Sequence, residues 1–112
     1  MESPQERKAA NEAAFREINE TMVGLQETFA ADHGEPLSII CECDRLGCAE
    51  RIQVTPQTYE AIRADGACFL VLSGHEDPTV EDIVDVGPGY LIVRKRSGEP
   101  RRVALETDPR ST

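Results

Sequence analysis

Three of the chain's four cysteines fall within eight residues, Cys41-Glu42-Cys43-Asp44-Arg45-Leu46-Gly47-Cys48. That crowding constrains the fold more than any other feature. Thiolates packed so closely suit a soft or borderline cation such as zinc. Residues i and i+2 of a strand face the same side, so Cys41 and Cys43 present both sulfurs together. Gly47 accepts the positive φ of a tight turn, which returns Cys48 to the same point. One tetrahedral position is left, and the other donors of the right type are His75, Cys68 and His33. His75 follows an apolar run in a Gly-His turn, and a neutral imidazole there is a normal zinc donor. Its plainer reading is a hydrogen-bonded turn histidine. Cys68 precedes Phe69-Leu70-Val71-Leu72 and reads as a small buried hydrophobe. His33 reads as a polar residue at a helix end. The expected ligand set is Cys41, Cys43, Cys48 and His75 around Zn2+.

Such a staple would matter here. The chain has 112 residues, no tryptophan and 4% aromatics, so its core is aliphatic and modest. Metal binding and folding then share one free energy. No apolar run approaches eighteen residues, and the first thirty are polar and acidic, so neither a membrane span nor a secretory signal is expected. The expected location is the cytoplasm, where reduction keeps thiols free for metal. A net charge of −9 argues against coating nucleic acid, because phosphate would be repelled by most of the surface. Residues 1–93 carry 18 acidic and 6 basic side chains, whereas residues 94–112 carry 3 and 6. Arg94, Lys95, Arg96, Arg101 and Arg102 thus read as a small basic tail behind an acidic body.

Residues 4–31 read as one helix. Phe15, Ile18, Met22, Leu25 and Phe29 recur at spacings of 3, 4, 3 and 4, a heptad stripe. Glu12, Arg16, Glu17, Glu20 and Glu27 are assigned to the outer face, with Glu12 and Arg16 as an i,i+4 pair. Two uses of the stripe stay open: packing on the chain's own sheet, or pairing with a second helix. Gly34 and Pro36 end the helix. Strands are expected at residues 37–43 and 51–54. Thr55-Pro56 opens a short helix with Tyr59 and Ile62 facing inward and Gly66 closing it. A buried strand follows at residues 68–72, then a hairpin at 80–86 and 90–94 around Gly87-Pro88-Gly89. Residues 97–112 read as loose, with Val103 and Leu105 hinting at a short edge strand. The fold class is α+β: a long N-terminal amphipathic helix, then a small zinc-stapled antiparallel sheet with one short helix. The expected units are residues 1–33 for interaction or dimerisation, 34–96 for a zinc-binding domain and 97–112 for a flexible basic tail.

Several catalytic patterns are missing from the sequence, among them His-x-Glu with Pro-Cys-x-x-Cys, His-Glu-x-x-His, a phosphate-cradling glycine loop and a nucleophile elbow. A closed Cys3His shell would be catalytically silent. Glu42, Asp44, Glu76 and Asp77 would serve as bases only beside an open coordination position. From Ile40 to Lys95 the chain resembles a group of short actinobacterial proteins. The resemblance rests on Cys-Glu-Cys-x4-Cys at Cys41–Cys48, Ile-x-Val-Thr-x3-Tyr-Glu-x-Ile-Arg at Ile52–Arg63, Gly-His-Glu-Asp-Pro at Gly74–Pro78 and Tyr-x-Ile-Val-x-Lys at Tyr90–Lys95. It implies His75 over Cys68 as the fourth ligand and implies no activity. The expected function is non-enzymatic: a small zinc-binding regulatory or adaptor protein. It would act through its N-terminal helix on a protein partner or a second copy, not on membrane or nucleic acid. The alternative is a cytoplasmic thiol redox sensor in which oxidants displace zinc and leave a disulfide such as Cys43–Cys48.

Overall fold

The computed structural model describes residues 3–29, 36–45 and 47–110; the side chains of residues 5 and 27–29, Phe29 among them, lie outside the description, as do His33 and Gly34. The chain runs as α1 (Pro4–Phe29), β1 (Leu37–Ile40), β2 (Arg51–Val54), α2 (Pro56–Arg63), β3 (Cys68–Leu72), β4 (Glu81–Gly87), β5 (Tyr90–Lys95) and α3 (Glu99–Glu106). This is an α+β fold, with two small antiparallel sheets where one was expected: β1-β2, and β3-β5-β4. No described helix is long and apolar enough to cross a membrane.

Local chemistry accounts for most elements. In β1 and β2, Leu37, Ile39, Ile52 and Val54 are buried while Arg51 and Gln53 are exposed, the period-2 pattern of a half-covered sheet. Leu37 pairs with Val54 and Ile39 with Ile52, so the apolar set stays on one face. The Thr55 hydroxyl caps α2 by accepting from the Thr58 amide at 3.1 Å, and Pro56 fills the first turn. Phe69, Leu70 and Val71 are all buried, as in a strand covered on both sides. The β4–β5 hairpin turns at Gly89, whose φ of +78° suits only glycine comfortably. β4 is an edge strand with a bulge between Ile83 and Asp85.

α1 departs from the expected orientation. Its buried residues are Glu12, Arg16, Asn19 and Val23; of the outer face expected from the sequence, Glu12 and Arg16 turn inward while Glu17 does lie exposed. Ile18 and Leu25 are 44% and 55% exposed, with Phe15 and Met22 half-buried. The reason is hydrogen bonding. The Asn19 carboxamide takes the Ile40 amide at 2.7 Å and donates to the Ile40 carbonyl at 2.7 Å, replacing a strand along the open edge of β1. Arg16 donates to the carbonyls of Gly66 and Ala104, at 2.7 and 2.5 Å, and lies 4.3 Å over the Phe69 ring. Glu12 is bound by Lys95 at 2.7 Å, so its partner is that lysine instead of Arg16. Unpaired backbone groups inside the fold would cost more than leaving a few aliphatic side chains wet.

The segment at 97–112 also differs from the loose tail expected. Gly98 breaks the strand with φ +98°, Pro100 suits the first helical turn, and α3 follows with Ala104 buried. Val103 and Leu105 lie on this helix and add no strand. The basic run is largely neutralised within the molecule. Arg94 meets Asp65, Arg96 meets Asp82, Arg102 meets Glu99 and Glu106, and Lys95 meets Glu12 and Glu81. Arg110 ties the C-terminal segment back to Glu20 and Glu60.

Candidate metal centre

The cysteine segment is held on both sides by main-chain bonds. The Cys41 amide donates to the Glu50 carbonyl at 2.8 Å, extending the β1–β2 ladder, and the Glu42 amide donates to Leu70 of β3 at 2.8 Å. The chain therefore crosses from one sheet to the other at the cysteines. The Cys48 amide donates to the Arg45 carbonyl at 3.2 Å and closes the turn, in which Gly47 has φ +80°. On the other side, the His75 amide donates to Leu72 at 2.9 Å, directly after Gly74 with φ +92°. The Arg45 guanidinium reaches the Gly74 carbonyl at 2.6 Å and links the two loops.

These constraints bring one donor atom each from Cys41, Cys43, Cys48 and His75 within 4.8 Å of one another. His75 Nδ1 lies 3.7 Å from Cys41 Sγ and 3.6 Å from Cys48 Sγ. A tetrahedral ion with ligand bonds of about 2.3 Å to sulfur and about 2.0–2.1 Å to nitrogen requires sulfur–nitrogen edges of about 3.6 Å. Those two edges are at coordination spacing, and the four residues could hold one metal ion. Burial pushes the Cys41 thiol well above its usual range, although the Leu72 amide pulls it back by donating to Sγ at 3.3 Å. Burial raises Cys43 too, against a hydrogen bond from the Arg45 amide. A bound cation reverses that balance, because a coordinating thiol is deprotonated outright. The amides then serve as donors to thiolate.

Cys68 stands outside the group. It is 6% exposed, and burial, with the nearby Asp65 carboxylate, pushes its thiol up to about 11. Glu42 has a role different from the catalytic base considered for it. β1 ends at Ile40, short of the strand expected to run to Cys43, and the Glu42 side chain just beyond it enters the interior, where it is 0% exposed. There it pairs with Arg63, accepts from Asn19 at 2.8 Å and takes the Leu70 amide at 3.0 Å. Those partners come from α1, α2 and β3, so one carboxylate between two cysteines joins three elements. A signal was present in the sequence: an ionisable residue fixed between two buried cysteines needs a cation, and Arg63 follows the inward Ile62. Asp44 and Asp77 face each other beside the metal loops, with Lys8 3.8 Å from Asp44. Comparison with protein-family models, curated proteins and solved structures finds no match to this chain.

Proposed function

We propose that the protein is a small zinc-stapled adaptor of the cytoplasm, without catalytic activity, that offers the outer stripe of α1 to an amphipathic helix of a partner. The observation carrying this reading is the pair of exposed side chains Ile18 and Leu25, bordered by half-buried Phe15 and Met22 on a helix already anchored by its other face. A 3.6-residue period places this stripe about 100° around the helix from the buried face. It is free to receive a second helix without moving the first. Phe29 continues the spacing in sequence. The net charge of −9 and the exposed Glu17 favour a partner whose apolar face is flanked by lysine or arginine over a second copy of this chain. Zinc is the ion preferred by a three-thiolate, one-imidazole shell. Four protein donors leave no position for a reactive water.

Titration with two synthetic amphipathic peptides of equal apolar face tests the reading, one flanked by lysines and one by glutamates. Saturable binding of the lysine form, weakened about tenfold or more in Leu25→Glu, is expected. Equal affinity for both peptides, or dimerisation of the free protein through the same stripe, would overturn it.

A second reading is favoured by one observation: Cys48 is half-buried, whereas Cys41 and Cys43 are enclosed. As a redox sensor, the Cys43 and Cys48 thiolates would give two electrons to a peroxide and join as a disulfide, releasing zinc as the peroxide is reduced to water. Retention of zinc at peroxide levels that oxidise free thiols removes this reading.

A further inference from the structure

The molecule closes two of its sheet edges with side chains and leaves a third open. Along β1, Gln26 takes the Ser38 amide at 3.1 Å and donates to the Ser38 carbonyl at 3.0 Å, and Asn19 does the same for Ile40. Along β3, the Glu42 carboxylate takes the Leu70 amide at 3.0 Å, and the Glu42 amide donates to the Leu70 carbonyl at 2.8 Å. β4 is the other edge of the three-stranded sheet. Among the described residues, the only main-chain bond of residues 82–86 outside the β5 ladder is local: Asp85 Oδ1 takes the Val86 amide at 2.8 Å. An edge left in this state is a template for another strand.

The bulge decides which side chains such a strand meets. Ile83 and Val86 are three residues apart, so an unbroken strand would set them on opposite faces. The register shift brings Ile83 opposite Val93 and Val86 opposite Leu91, onto one face. Val93 and Leu91 are buried, but Ile83 and Val86 are 50% and 67% exposed, so the apolar cover stops at β5. The same shift sets Asp82 opposite Arg94 and Asp85 opposite Ile92, so the two carboxylates share the other face. Arg96 meets Asp82 at 3.1 Å, yet both acids remain exposed.

We propose that β4 is a docking edge for an extended peptide of alternating aliphatic and basic residues, added as a fourth strand. Its main chain continues the ladder, its aliphatic side chains cover Ile83 and Val86, and its lysines or arginines meet Asp82 and Asp85. A second copy of this chain fits poorly, because β4 against β4 crowds four carboxylates onto one face. The bulge and the acids thus guard the edge against indiscriminate pairing and leave it open to a basic strand. This edge takes an extended segment, whereas the α1 stripe takes a helix.

The test titrates the 15N-labelled full chain with an acetylated hexapeptide of alternating valine and lysine. Two controls accompany it: glutamate in place of lysine, and the lysine peptide N-methylated along its main chain, which removes its ladder donors. Saturable shifts of the Ile83, Val84, Asp85 and Val86 amides are expected with the lysine peptide, at an affinity about tenfold or more above either control. Val86→Lys replaces an exposed apolar contact by a like charge and is expected to weaken the lysine peptide to the level of the controls. An unchanged spectrum away from β4 checks that this variant is folded. Leu25→Glu, on the α1 stripe, is expected to bind the peptide as the unaltered protein does. The proposal is overturned by no saturable shift along β4, by either control binding as tightly, by unchanged binding in folded Val86→Lys, or by loss of binding in Leu25→Glu.

Discussion

The two sides of α1 contradict the usual division of labour on a helix. The side against the body carries Glu12, Arg16, Asn19 and Val23, all buried, while Ile18 and Leu25 face solvent about 140° away. An amphipathic helix normally buries its apolar stripe because burial returns about 25 cal/mol per Å2. Here the body it meets is rich in polar demands: an open edge at Ile40, carbonyls at Gly66 and Ala104, and the buried ammonium of Lys95. Each of these left unpaired would cost about 1–3 kcal/mol or more. Satisfying several of them outweighs drying two aliphatic side chains. The buried side is chosen by what its partners lack, and the exposed side retains apolar surface for another use.

The largest test of this contrast acts on the metal loops. Glu42, set between Cys41 and Cys43, carries the load from the metal centre to Asn19 on the buried face of α1. Removal by a chelator of a metal ion held there, or the substitution Cys48→Ser, is expected to lower unfolding free energy by several kcal/mol, because metal binding and folding are coupled. The Ile40 amide, held by Asn19 at 2.7 Å, should lose its protection from hydrogen exchange along with the metal. Measuring metal content, chemical denaturation and exchange on one sample checks all three. Persistent Ile40 protection in metal-free protein would separate the helix from the metal loops.

Features written in short-range spacing were legible in the sequence. Cys41, Cys43, Cys48 and His75 could be singled out because close spacing along the chain and two glycine turns gather side chains locally, although β1 ends at Ile40 before the cysteines. The Thr55-Pro56 helix start and the Gly87-Pro88-Gly89 hairpin were legible for the same reason. The orientation of α1 was not, because its decisive partners are remote: Arg16 finds Gly66 and Ala104, and Glu12 finds Lys95. Apolar periodicity reports which residues prefer burial, but not which backbone groups elsewhere need a donor. α3 was missed despite real signals. Gly98-Glu99-Pro100 is a sound helix start, and Arg102 pairs at i−3 and i+4 with Glu99 and Glu106, but only Ala104 among its residues is fully buried. Its apolar period is therefore faint. The basic run beside it looked like free charge because Asp65, Asp82 and Glu12 come to it from other elements.

A smaller but sharper effect is expected from the buried polar network itself. Glu42→Gln removes the charge facing Arg63, whose side chain is 2% exposed, and should cost about 3–5 kcal/mol, the range for breaking one side of a buried pair. Asn19→Ala leaves the Ile40 amide and carbonyl without their side-chain partner and should cost about 1–3 kcal/mol. Replacing Glu42 and Arg63 together by leucine is expected to recover much of the single-variant loss, since the remaining partner no longer carries an uncompensated charge. Urea denaturation of the four proteins gives these differences directly. If Asn19→Ala were neutral, hydrogen-bond demand would not be what turns α1 polar side inward.

The smallest expected effect lies on the opposite side of the same helix. Ile18→Lys and Leu25→Lys each place a charge at a position already about half exposed, where α1 makes few contacts to lose. Lysine is as good a helix former as leucine and slightly better than isoleucine, so propensity does not oppose either change. Both variants should unfold within about 0.5 kcal/mol of the unaltered protein, the usual range for surface substitutions. The same change at Val23, which is 2% exposed and five residues from Ile18 along the helix, should cost several times more. Thermal denaturation of the three variants therefore maps the boundary between the two sides. A loss above about 1 kcal/mol for Ile18→Lys would mean the stripe already packs on the body and has no free face for a partner helix.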